Sequence, residues 1–310
     1  MIILSLTAHQ NIECLCDLLD NIKTCFIHYD ILILMSITEN LNYDILKKYD
    51  FCRIVTIRKI EPTIRGNIHL FQQHIINIKY LYDNNIKFDY FWFVASNELF
   101  IKIIPPDFLE KNSIKIIDKK EPLNKEDYDI YYKDLTSYKE LKLNQFLIKV
   151  LSFDYFKNNS LSLTDKEENK YCELEYWYWL DKTLKDSYFM NYLYKNNFIL
   201  EKTQHESMIL NHEIVLEIFN EYNKSKIYEN SIYKDYVMEE IFVKTYLMNK
   251  YILTNSDKFS CSYIYNIHNI LIEDFKDREK DIKDYHISTK PVKRSYDDPV
   301  RIYIRNKLKY

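Results

Sequence analysis

Glycine is almost missing from this chain: Gly66 is the only one in 310 residues. That excludes a GxGxxG dinucleotide loop and a Walker A loop, because both need several glycines to bring backbone amides against phosphate. The six cysteines, at 14, 16, 25, 52, 172 and 261, contain no CxxC pair. Such scatter suits free thiols in a reducing compartment and supplies neither a disulfide framework nor zinc-ligand spacing. No uncharged apolar run reaches the roughly 18 residues of a membrane helix, so no span is expected. Residues 1–6, MIILSL, lack a basic leader and are too short for a signal-peptide core, so they read as a first strand and the protein as cytoplasmic. Bulk positive charge is lacking too: the net charge of -3 argues against a nucleic-acid partner.

What the chain has in plenty is apolar and aromatic surface. Apolar residues make up 47% and aromatics 16%, with 29 tyrosines, which is the composition of a globular chain with ample core. The tyrosines would serve a homodimer interface as readily as a core.

The organising stretch is DYFWFVASNELFIK, residues 89–102. Residues 90–94 read as a strand buried on both faces. The pattern then changes abruptly to Ala95-Ser96-Asn97-Glu98, a carboxyl just past a central strand, where open α/β sheets bind ligands. Apolar strands are also expected over 2–6, 29–35 and 51–57. A helical face of Ile12, Leu15, Leu18, Leu19 and Ile22 follows the first, and a helix over 68–83 follows the third. This alternation at about 25-residue spacing predicts parallel βαβ units. Gly66, after Arg65, is expected in the loop that opens the second helix.

Past Pro105-Pro106 the chain is less regular, and 119–139 is charged and turn-like. Residues 141–156 and 171–194 carry aromatic helical patterns, the second holding Trp177 and Trp179. Glu206 precedes a short apolar strand at 208–210 and a helix over 212–222. Glu239-Glu240 opens another helix over 241–248, and the tail is basic, with Lys293, Arg294, Arg301 and Arg305.

Four segments in this order resemble the core-2/I-branching β-1,6-N-acetylglucosaminyltransferase family (glycosyltransferase family 14) and its bacterial relatives. They are Leu6-Thr7-Ala8-His9 with its Leu-rich helix, Arg65-Gly66-Asn67 with its helix, the aromatic strand ending in Glu98, and Glu239-Glu240-Ile241-Phe242-Val243-Lys244-Thr245. They cover about half the chain. Ser96 stands where the family usually has a glycine before the acid, and residues 111–200 match nothing in it.

The resemblance implies one GT-A-like domain over 1–310, with a mostly parallel central sheet flanked by helices. Residues 1–110 would form the nucleotide-sugar half, 111–250 the acceptor half, and 251–310 the basic tail. It implies an inverting transferase that needs no metal and no cofactor beyond its UDP-sugar donor, and that moves a sugar, N-acetylglucosamine in the family's case, onto a glycan or lipid-linked acceptor in surface polysaccharide or lipooligosaccharide assembly. Glu240 would be the general base, because the attacking hydroxyl must lose a proton. The bland alternative for Glu239 and Glu240 is two acids favoured by a helix N-terminus. Lys293, Arg294 and Arg301 would meet the diphosphate in place of a cation. As a charge run they equally suit a solvated face or peripheral contact with anionic lipid.

His9 and Arg65 would line the nucleotide pocket, with a surface-loop histidine as the alternative for His9. Ser96-Asn97-Glu98 offers one carboxyl, which suits a sugar or ribose hydroxyl better than a divalent cation. Glu98 and Glu206 are therefore acceptor-site candidates, with Trp177 for ring stacking, although its spacing inside an aromatic helix favours core packing. The competing functions are a metal-dependent glycosyltransferase with another donor and a catalytically inactive glycan-binding relative.

Overall fold

The computed structural model of the chain describes residues 1–8, 11–58, 70–130, 132–133, 187–201, 207–227, 238–256, 262–264 and 270–310. Its centre is the run of β-branched and aromatic residues that the sequence singles out. Strands β1 (Ile2–Ala8), β2 (Ile31–Thr38), β3 (Cys52–Arg58) and β4 (Tyr90–Ala95) form a parallel sheet, and β7 (Ile209–Asn211) pairs antiparallel to β4. The order is β3-β2-β1-β4-β7. β1 thus has β2 on one side, in register Ile2 with Ile31, and β4 on the other, in register Ile2 with Tyr90.

The chain runs outward through β1, β2 and β3, then returns across the sheet to β4. Right-handed crossovers in opposite directions require helices on opposite faces. Accordingly α1 (Ile12–Cys25) packs Leu15, Leu18, Leu19 and Ile22 onto one face, with Leu4, Leu6 and Trp92. The other face holds α2 (Leu70–Asp83), whose Phe71, Ile75 and Ile78 meet Ile3, Phe91 and Phe93. Both faces of β4 are covered, which is why its sequence is continuously apolar. Trp92 has no exposure and meets the rings of Phe26 and Phe100 edge-on at 5.5 and 5.4 Å.

Beyond β4 lie β5 (Leu99–Phe100), α3 (Phe108–Asn112) and β6 (Ile116–Lys119). The second face is completed by α4 (Ser187–Asn196), α5 (His212–Ser225) and α6 (Met238–Lys250), which is followed by β8 (Tyr251–Leu253) against β6. The first face is completed by α7 (Ile272–Arg278) and α8 (Pro299–Leu308). Between β8 and α8, β9 (Ser262–Ile264) and β10 (Ser288–Lys290) join β5 in a small sheet ordered β5-β10-β9.

Scarcity of glycine is visible in the backbone. Left-handed positions fall to Asn11, Asn85, Asn197 and Asn255, with Lys226 and Lys309 just past the ends of α5 and α8. Asparagine tolerates this region best after glycine, and it also closes helices here. Among the described residues no helix is long and apolar enough to cross a membrane.

Two expected boundaries move. β2 does not stop at 35 but continues through Thr38, because Ser36 and Thr38 lie on the α2 side and are buried despite their hydroxyls. The expected strand at 208–210 exists, but as an antiparallel edge to β4, so the sheet is mixed.

Candidate functional site

The strand order changes direction between β1 and β4, with a crevice beyond their carboxyl ends, and the chain leaves both strands toward the face that α1 covers. Such a crevice is the general ligand site of open α/β sheets. On the β1 side, Asn11 takes φ 49° and caps α1, its Oδ1 accepting from the amides of Glu13 and Cys14 at 3.1 Å. Its side-chain amide donates to the Arg294 carbonyl at 3.2 Å. On the β4 side, Ser96 accepts a hydrogen bond from the Arg294 guanidinium at 3.1 Å. The amide of Val292 donates to the Asn97 carbonyl at 2.8 Å. Residues 292–294 therefore form a strap across the switch point, tied to both strand ends. Arg294, expected among the cations of this region, is brought to the end of β4, with Lys293 exposed beside it.

Glu98 is not where an acceptor contact needs it. It has no exposure: Oε1 accepts from Ser207 Oγ at 2.8 Å and from Ser288 Oγ, and Oε2 accepts from the Ala95 amide at 3.1 Å. The carboxyl joins three distant segments, the end of β4, the residue leading into β7, and β10. Ser207 holds φ 77°, a costly setting for a serine, and its amide donates to the Phe93 carbonyl at 3.0 Å. The physical reason for the inward turn is the tight Ala95–Glu98 turn, closed by the Glu98 amide on the Ala95 carbonyl at 3.1 Å.

Arg301 also departs from expectation. The diphosphate contact calls for an open guanidinium, whereas this one is fully buried. Nη1 donates to Asp17 Oδ2 of α1 at 2.7 Å, and Nε donates to the Lys293 carbonyl at 2.8 Å. Arg305, one turn on, lies 3.5 Å from Asp17 Oδ1 and stacks its guanidinium 3.9 Å over Tyr296. Burial pushes the Asp17 carboxyl above the usual carboxylate range, and the Arg301 guanidinium pulls it back. Asp298 caps α8 through the Val300 amide at 3.0 Å, and Pro299 fits the first helical position. Arg301 thus fixes the strap from behind.

Glu240 lies in the first turn of α6 by its backbone, and its side chain is outside the described set, as is that of Glu239. His9, Arg65, Gly66, Trp177, Trp179 and Glu206 also lie outside the described residues, as does 141–156.

Sequence reasoning did not find Asp17, Asn21, Ser207 or Ser288. The first two carried a signal: Asp17 and Asn21 are polar residues four apart on the face of α1 that also holds Cys14, Leu18 and Cys25, and both are buried. Asn21 reproduces a strand partner, its amide donating to the Phe100 carbonyl at 2.9 Å and its oxygen accepting from the Phe100 amide at 2.8 Å. Ser207 and Ser288 had no local signal, because each matters only through a partner over 100 residues away.

Among the described residues no three His, Cys, Asp or Glu side chains are grouped to hold a metal ion. An open groove of about 900 Å³ lies at the opposite, amino-terminal edge of the sheet, lined by Lys87, Asp89, Lys115 and His212 among others. No protein-family model matches the chain, and no curated protein matches it in sequence.

Proposed function

We propose that the protein is an inverting glycosyltransferase of GT-A-like fold that takes a UDP-sugar and works without a divalent metal. The observation that carries the reading is Arg294, held by the strap against Ser96 at the end of β4, in the crevice where the sheet changes direction. A guanidinium there suits the negative charge that develops on a departing nucleoside diphosphate. The first turn of α6 supplies the second element. A carboxylate at Glu240 is favoured by the helix N-terminus, and it would accept the acceptor hydroxyl's proton as that oxygen attacks the anomeric carbon. N-acetylglucosamine as the sugar, and a glycan or lipid-linked acceptor, follow from the family resemblance alone.

The test is thermal denaturation with UDP, GDP, CMP and their sugar conjugates, in EDTA and in Mn²⁺. A ligand at 100 times its dissociation constant stabilises by about 2.7 kcal/mol, which such a scan resolves. Stabilisation by UDP that persists in EDTA, is lost in Arg294→Gln, and is retained in a transfer-dead Glu240→Gln is the expected result. A strict Mn²⁺ requirement would move the reading to a metal-dependent transferase. Indifference to every nucleotide would end the enzyme reading and leave a glycan-binding protein.

A further inference from the structure

The face of the sheet under α2 changes from apolar to polar toward the carboxyl ends of its strands. Leu32 and Leu34 pack on this side, and the alternation then brings Ser36 and Thr38, matched on β1 by Ile3 followed by Ser5 and Thr7. All four hydroxyl residues are at most 4% exposed. From α2, Asn77 donates to Ser5 Oγ at 2.8 Å and to the Leu34 carbonyl at 3.1 Å, and Ser5 Oγ also meets His74 Nδ1 at 2.7 Å, so side-chain hydrogen bonds gather on the inner part of this polar seam.

The outer part is not satisfied in the same way. Arg58, the last residue of β3, is paired in register with Thr38 and so belongs to this face. Its Nη2 makes one long contact, 3.4 Å to the Ser36 carbonyl, and its Nε is buried without a hydrogen-bond partner. The Ser36 hydroxyl beside it is fully buried and also lacks a partner. Among the described residues no carboxylate pairs with Arg58. Glu39, which follows β2, meets it only through the backbone, its amide on the Arg58 carbonyl at 2.9 Å. Burial lowers the guanidinium to about 10, and no carboxylate among the described residues offsets it. Native structures rarely leave such a group unmatched, and an arginine at a strand's carboxyl end is matched well by a phosphoryl group.

We propose that Arg58 forms a phosphate-binding corner at the carboxyl ends of β2 and β3. The corner is separate from the Arg294 site. Arg58 reaches the Ser36 carbonyl of β2, whereas Arg294 meets Ser96 past the end of β4, with β1 between those two strands. The inference does not rest on the glycosyltransferase reading, and either can fail alone. The chemistry recognised is a phosphate dianion, free or carried as the ester of a nucleotide.

Isothermal titration calorimetry with sodium phosphate, at ionic strength held constant with chloride, tests the corner directly. Saturable binding to the wild-type chain is expected, weakened at least tenfold in Arg58→Gln and partly restored in Arg58→Lys. Urea melts of each variant check that the fold is kept. A parallel titration with UMP separates the sources: dependence on Arg58 means the corner takes the nucleotide's phosphate, and independence means it takes free phosphate. Phosphate affinity within twofold of wild type in a folded Arg58→Gln, or no saturable binding of either probe to the wild type, overturns the proposal.

Discussion

Glu98 shows how one side chain can set the geometry of a site without being open to a ligand. It gathers the hydroxyls of Ser207 and Ser288 and the amide of Ala95 in a fully buried place. Removing an acceptor of this kind strands its donors, which costs more than the bonds themselves contribute. Glu98→Ala is therefore expected to destabilise by about 2–4 kcal/mol in urea unfolding, and a loss under about 1 kcal/mol would contradict this account. His286 carries a pH dependence. Burial foremost, then Lys283 and Lys102, lower its pKa from 6.5 to about 4. Above pH 6.5 the ring is neutral in both folded and unfolded chains. Below it, the unfolded chain takes up a proton that the folded chain resists, so stability falls as pH drops from 6.5 toward 4. His286→Gln should therefore flatten the stability profile between pH 7 and 5, as read by urea unfolding at each pH.

At the scale of elements, the docking of α8 on α1 decides where the strap lies. Apolar contact brings Val300 and Ile304 into the first core, and the Asp17–Arg301 pair fixes rotation and height. A buried pair adds little net stability over apolar residues of similar size, but breaking it leaves an uncompensated charge inside. Asp17→Leu is thus expected to cost about 3–5 kcal/mol, while Asp17→Leu with Arg301→Met should recover most of that loss. Denaturant unfolding of the two single variants and the double variant gives the coupling directly. Additive losses would show that the pair is not the link. The helix pair also explains the basic tail: Arg301 is spent on the interior, leaving Lys293 and Arg294 to the crevice.

Over the whole molecule, stability is concentrated in β1 and β4. Each lies between two paired strands and under helices on both faces, and these strands are almost wholly buried. β3 sits at the sheet edge and is only partly buried beyond Cys52. Hydrogen exchange followed by mass spectrometry should find the slowest amides in residues 2–8 and 90–95, with β3 opening first among the parallel strands. Equal or greater protection of β3 would count against this ordering. A ligand at the Arg58 corner would be expected to slow exchange there selectively.

The sequence by itself determined the parallel core and its sense of repetition. Apolar runs at regular spacing, with helical periodicity between them, leave few ways to bury both kinds of surface. It also marked the end of β4, because residues 95–98 change character within four positions. Boundaries defined by buried hydroxyls, as in β2, were not readable, since serine and threonine look alike in a loop and under a helix. Only the tertiary structure decided which polar groups face a ligand and which face each other. Glu98 and Arg301 have the residue types of site groups, yet their partners, Ser207, Ser288 and Asp17, stand 109, 190 and 284 residues away in the chain. Local patterns carry no information about contacts at that separation. The final use of those charges was therefore set by how α8 and β10 close over the sheet.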